Sequence, residues 1–297
     1  MKTINYSSLQ TIATGLALCA TLGAIPQTVS AQIFVANQGN NTVGEYSTAG
    51  TTVNASLVSG LNGVRGIAVS GGNIFVANWS SGTIGEYTTA GATVNASLIS
   101  GLNGPIGLAV SGGNIFVANY LNNSIAEYTT AGATVNASLI SGVVNPYGIA
   151  VSGGNLFVVT LGTVGEYNLD GTTVNASLIS GLSNPRGIAV AGGDIFVANS
   201  GNSTVGEYTT AGATVNASLI SVTIPVGIAV AGGNIFVADS VHGTIGEYAA
   251  NGTTVNASLV SGVTPGYLAV VATPEPATVA LVGLGGLSIL WQLRRRK

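Results

Sequence analysis

A segment of about 40 residues is written six times in this chain, and that repetition constrains its fold more than any other feature. Ile33-Phe34-Val35-Ala36-Asn37 returns with small changes at Ile74, Ile115, Leu156, Ile195 and Ile235, spacings of 41, 41, 41, 39 and 40 residues. Each copy holds four strand-like pieces. In the second copy they are 66–69, 74–77, 83–87 and 94–99, with turn-forming Ser70-Gly71-Gly72-Asn73 after the first and Thr88-Thr89-Ala90-Gly91 after the third. The first two pieces are apolar on both sides of the pleat, as in a sheet covered on both faces. The fourth alternates, Val94, Ala96 and Leu98 against Asn95 and Ser97, and is expected to have one dry and one wet side. One unit alone buries too little apolar surface to offset the entropy of ordering it, so the units must stack on one another. Four short strands per unit, with burial falling from the first to the fourth, describe a blade of a β-propeller.

The two ends of the repeat region indicate how the ring closes. Ile33 opens on a second-strand sequence with no first strand before it, while Tyr267-Leu268-Ala269-Val270 is a first-strand sequence with no second strand after it. Together they complete one blade. The expected fold is therefore all-β, a six-bladed β-propeller over 32–272 closed by pairing of its N- and C-terminal strands, with no open end to cap.

Charge removes one class of partner. Between residues 32 and 273 there are nine acidic residues and only two basic ones, Arg65 and Arg186, a net −7 that gives a nucleic acid no electrostatic footing. The other five basic residues lie at the ends. Residues 1–31, with Lys2, an apolar stretch and Val29-Ser30-Ala31, have the form of a secretory signal peptide cut by signal peptidase after Ala31. That cut removes Cys19, the only cysteine, and with it any disulfide or thiol chemistry. At the other end, Pro274-Glu275-Pro276 precedes a largely apolar stretch, 277–293, expected to form a short transmembrane helix, and then Arg294, Arg295, Arg296 and Lys297. The basic cluster would stay cytoplasmic, which leaves the repeats outside.

This three-part tail over 273–297 resembles the PEP-CTERM sorting signal of Gram-negative bacteria. The resemblance implies processing by an exosortase near the Pro-Glu-Pro and delivery to the cell envelope or extracellular matrix. The run from Asn184-Pro185-Arg186-Gly187 through Asp194-Ile195-Phe196-Val197-Ala198-Asn199 to Gly206-Glu207-Tyr208 resembles the NHL repeat, and the pattern recurs in all six units. Ser203-Thr204 stand where that family often has a basic residue, so binding roles tied to that residue are not carried over.

Six glutamates recur, Glu45, Glu86, Glu127, Glu166, Glu207 and Glu247. On third strands of separate blades they lie too far apart for a catalytic pair or a shared metal ion, and each is expected to hydrogen-bond to a neighbouring blade. The six Asn-Ala-Ser triplets beginning at Asn54, Asn95, Asn136, Asn175, Asn216 and Asn256 are formal glycosylation sequons, read here as strand residues. Asp194 and Asp239 replace a repeated Asn at opposite ends of a second strand and cannot form one site. No metal site and no cofactor are expected.

One end of the ring collects the residues that break the repeat: Arg65, Trp79, Tyr120, Tyr147, Arg186 and His242. Arg65 and Arg186 precede the first strands of blades two and five and should face each other across the channel mouth, with Tyr147 at the same position on blade four. His242, without a second histidine or an acidic cluster in sequence, reads as a solvated loop residue on that face. The expected function is non-enzymatic: an exported envelope or matrix protein whose face binds a polysaccharide or protein, the aromatics stacking and the arginines pairing acidic groups. The alternative is a lactonase-like hydrolase or lyase, against which the Gly-Ile-Ala-Val channel strands offer no acid.

Overall fold

The computed structural model describes residues 31–271. Residues 1–30 of the expected signal peptide, the Pro274-Glu275-Pro276 motif, the helix expected over 277–293 and the basic tail lie outside the described residues. Among the described residues, no helix is long and apolar enough to cross a membrane.

The described residues form six antiparallel sheets of four strands each. Blade 2 is typical, with strands Val64–Ser70, Asn73–Asn78, Thr83–Thr88 and Thr93–Ile99 running from hub to rim. Ser70 pairs with Asn73 around Gly71 and Gly72, whose φ values of 59° and 81° are the two left-handed residues a tight type I′ hairpin demands. Blade 1 is built from both ends of the described chain. Its inner strand, Pro265–Val271, pairs with Gln32–Asn37, in the register Gln32 to Val271, Phe34 to Ala269 and Val35 to Leu268. This is the closure the half-repeats imply.

The core is six apolar clusters, one at each junction between adjacent blades. The alternation of the second strand produces it. Phe34 and Ala36 point at blade 2, where they meet Ile74 and Val76, while Ile33 and Val35 point back at Phe236 and Ala238 of blade 6. All of these are buried. Apolar residues on both sides of one strand are thus explained by blades packing on both faces.

The outer strand departs from the expected alternation. Val94 is 52% exposed and its five equivalents are similar, so the face expected to be dry is wet; only Leu98 and Ile99 turn inward. The cause is a bulge. Ile84 pairs with Ile99 but Glu86 with Asn95, so residues 96–98 stand opposite Gly85 alone. The Asn95 side-chain oxygen accepts the Ser97 backbone N–H at 3.1 Å, and the same contact recurs in every blade. Asn-Ala-Ser is therefore written six times because each outer strand needs an Asx turn, which also spoils the flat edge that would template pairing with another chain. Asn95→Ala should lower stability by about 0.5 kcal/mol, a surface-exposed hydrogen bond, as measured by urea unfolding.

The glutamates also differ from expectation. They bond within their own blade, not across to the next: Asn73, Asn114, Asn155 and Asn234 each donate a side-chain N–H to Glu86, Glu127, Glu166 and Glu247 at 2.6–2.7 Å, and Gln32 donates to Glu45. The geometry is the diagonal neighbour across an antiparallel pair, which sequence spacing leaves ambiguous. Blade 5 breaks the pattern, because Asp194 stands where the amide should donate to Glu207. Partial burial, and then the Asp194 charge, push the Glu207 carboxyl above its usual range. A raised carboxyl means that the folded state holds its proton to higher pH, so this contact weakens the fold as pH rises through that range. Asp194→Asn should restore the bond and stabilise the protein at neutral pH by about 1 kcal/mol, allowing for solvent screening. The gain should shrink as pH falls into the carboxylate range, followed by thermal melts from pH 7 to 4.

Candidate binding site at the mouth of the hub

Two residue positions per blade build the mouth. One is the second residue of the inner-strand region: Arg65, Ile106, Tyr147, Arg186, Val226 and Gly266. The other follows the second strand: Gln38, Trp79, Tyr120, Thr160, Ser200 and Ser240. Arg65 and Arg186 lie inside their inner strands, Val64–Ser70 and Pro185–Ala191, rather than before them. Both reach one pocket of about 430 Å³ that also takes Trp79, Tyr120 and Tyr147 in its wall. Five of the six residues singled out from sequence therefore come together.

They form a continuous row. The Arg65 guanidinium sits 5.8 Å from the Trp79 ring centre, Trp79 is 5.6 Å from Tyr120, Tyr120 is 5.1 Å from Tyr147, and the Arg186 guanidinium is 5.4 Å from Tyr147. These are distances at which cation and ring, or two tilted rings, attract. Trp79 and Tyr120 are carried by the links between second and third strands, Tyr120 opening a short 3-10 turn, Tyr120–Asn122. Side-chain hydrogen bonds hold the arginines: Arg65 donates to the Gln38 side chain at 2.5 Å and Arg186 to the Ser200 hydroxyl at 3.2 Å, that hydroxyl in turn donating to the Asn184 carbonyl at 2.7 Å.

Among the described residues, no carboxylate lines this pocket. The only ion pair among the described residues joins His242 to Asp239, so neither arginine has an acidic partner there. Each guanidinium has five N–H donors and uses one on a side chain, which leaves most of them for a ligand. Burial, and then the neighbouring Tyr120, push the Tyr147 hydroxyl above its usual value, and burial pushes Tyr267 far above it. Both phenols stay neutral at physiological pH. The mouth thus presents two positive charges and a wall of rings in a domain that is otherwise acidic.

His242 does not join them. It lines a second cleft, about 410 Å³, with Ser203, Ser221 and Thr223, between blades 5 and 6. Its ring nitrogen lies 2.7 Å from Asp239, whose other oxygen accepts the backbone N–H of Val241 and of His242. Burial pushes the Asp239 carboxyl up, but the hydrogen bonds from the His242 ring and these N–H groups together outweigh it and bring it below the usual range. The histidine side chain is 60% exposed, consistent with a loop residue, but it has the acidic partner that its sequence surroundings did not suggest. The signal was present, since Asp239 replaces the Asn of four other blades.

The pocket lining also holds six residues that the sequence does not single out, Gln38, Ile106, Ile224, Val226, Ser240 and Tyr267, and Ser200 holds Arg186 from beside it. Tyr267 was legible. Every other inner strand has Gly at that position, Gly66, Gly107, Gly148, Gly187 and Gly227, whereas blade 1 reads Gly266-Tyr267.

Comparison with protein families finds the PEP-CTERM protein-sorting motif at residues 272–296 and an NHL repeat at 182–208, in blade 5. No curated protein matches the sequence. Among solved structures, the fold is similar to a chain of a nidogen/laminin complex, with a TM-score of 0.69 at 15% identity, covering 82% of this chain and 98% of that one. It is also similar to a streptogramin B lyase, with a TM-score of 0.54 at 20% identity over 72% of this chain and 70% of the other. A third likeness is to a catalytically inactive histidine variant of virginiamycin B lyase from Staphylococcus aureus with quinupristin, with a TM-score of 0.52 at 19% identity over 72% and 71%. At these identities the likeness concerns the fold alone. The sorting motif implies export and exosortase processing. The chain is a six-bladed β-propeller that contains an NHL repeat and carries a PEP-CTERM protein-sorting motif.

Proposed function

We propose that this is a non-catalytic binding protein of the cell envelope or extracellular matrix, and that the mouth of its hub binds an acidic polysaccharide. The observation that carries the reading is the row Arg65, Trp79, Tyr120, Tyr147, Arg186 in one pocket without a carboxylate. Aromatic rings offer their faces to the C–H surfaces of sugar rings, and guanidinium forks pair with carboxylate or sulfate. Topology adds support. The inner strand of blade 1 begins at the pocket face and ends at Val271, on the face of the Gly-Gly turns, and the sorting motif starts at the next residue. A protein held by that tail would present its pocket away from the attachment.

The lyase reading draws on the fold likeness to two lyases. Against it, the hub pocket has among the described residues neither a carboxylate nor a histidine to move a proton, and the sole histidine of the chain lies in the other cleft. Chromatography on immobilised polygalacturonate and on neutral dextran tests the binding reading. Retention on the acidic matrix that weakens with salt, and none on dextran, is expected; equal behaviour on both would overturn it.

A further inference from the structure

The hub below the mouth is narrow for a reason written into the inner strands. At Gly66, Gly107, Gly148, Gly187 and Gly227 a Cβ would collide with the backbone carbonyl of the next blade, so these strands approach one another as closely as glycine allows. Blade 1 alone places a side chain at this level. Tyr267 crosses the hub, and its hydroxyl lies 3.4 Å from the Arg186 carbonyl of blade 5, close enough only for a weak hydrogen bond. It borders two spaces at once: the mouth pocket of about 430 Å³ above and a void of about 50 Å³ beneath, walled by Gly107, Gly148 and inner-strand isoleucines. The lower void is far smaller than the mouth pocket and has room for a few water molecules. The mouth is therefore a blind cup. Its aromatic wall is curved as well, for the three half-buried rings are tilted by 54° and 57° from one to the next, and a polymer lying flat across the ring would need them coplanar.

We propose that the cup receives the end of an acidic polysaccharide chain, with Tyr267 as its floor, rather than a stretch along the chain. The inference rests on the acidic-polysaccharide reading above. A cup of this volume, at the small end of ligand sites of about 300 to 1,000 Å³, suits one or two sugar rings. Arg65 and Arg186, on blades three apart, flank the seat on two sides and would hold the acidic group of the terminal sugar.

Calorimetric titration of the exported protein with a four-unit oligogalacturonate and with long polygalacturonate separates the possibilities. End recognition predicts one protein bound per chain at both lengths, with the same affinity per mole of chains. A stoichiometry that rises with chain length would overturn end recognition and leave the acidic-polysaccharide reading standing. Binding of neither would overturn both. Tyr267→Gly, which removes the floor and restores the residue of the other five blades, should weaken binding of the four-unit oligomer at least tenfold; unchanged affinity would overturn the role of Tyr267.

Discussion

Deleting Pro265–Val271 should abolish the cooperative unfolding of the propeller. This strand supplies the hub side of blade 1, and without it Ile33, Phe34 and Val35, all fully buried, line an unpaired edge. Buried Leu268 and half-buried Ala269 and Val270 leave the junctions on either side of that blade. Each fully buried aliphatic side chain is worth about 1.5–3 kcal/mol, and a whole domain is stable by only about 5–15 kcal/mol, so the loss of one strand and its ladder approaches the total. Leu268→Asp tests the same junction without a deletion: a charge unpaired there should cost about 3–5 kcal/mol. Circular dichroism melts and light scattering check both variants. A deletion variant that stays monomeric and melts at the normal temperature would show that the ring is not closed by this strand.

The second large effect concerns binding. Arg65→Ala with Arg186→Ala should weaken binding of acidic oligosaccharide by about 3 kcal/mol, roughly 100-fold, because each guanidinium contributes about 1.5–3 kcal/mol to a charged acceptor before discounting for its half-exposed position. Each single variant should lose about tenfold. Arg→Lys at either position should fall between, since a lysine keeps the charge but loses the planar fork that both stacks on Trp79 or Tyr147 and pairs an acid. Folding should be little changed, as neither arginine is in an ion pair among the described residues. Calorimetry provides the affinities and the melting curve provides the control.

How much of this was legible in the sequence follows from what a repeat encodes. Blade number, strand order and closure depend on spacing and on which half-unit stands at each end, and both survive translation into structure. The contacts that escaped depend on register. A glutamate on a third strand can reach the next blade or the second strand beside it, and only the pairing of Phe75 with Glu86 places Asn73 diagonally opposite Glu86. The outer strand looked alternating because the letters alternate, but the Asn95–Ser97 turn shifts the register and exposes Val94. At the mouth, residues that broke the repeat with size or charge were visible. Gln38 and Ser200 were not, since small polar residues in links carry no signal until an arginine is found against them. The link that carries His242 opens on the same side as the mouth, yet its side chain projects between blades 5 and 6 to reach Asp239.

Trp79 provides the most direct measurement of the central claim, that the arginine and aromatic row is a ligand seat. The chain has two tryptophans; Trp291 lies in the sorting tail, so processing near the Pro-Glu-Pro removes it and Trp291→Phe replaces it in unprocessed protein, leaving Trp79 as the sole indole reporter. Titration with four-unit oligogalacturonate should produce a saturable change in Trp79 fluorescence at the calorimetric affinity, absent with a neutral oligosaccharide and lost in the double arginine variant. Binding by calorimetry with a silent Trp79, or a response unaffected by loss of both arginines, would contradict it.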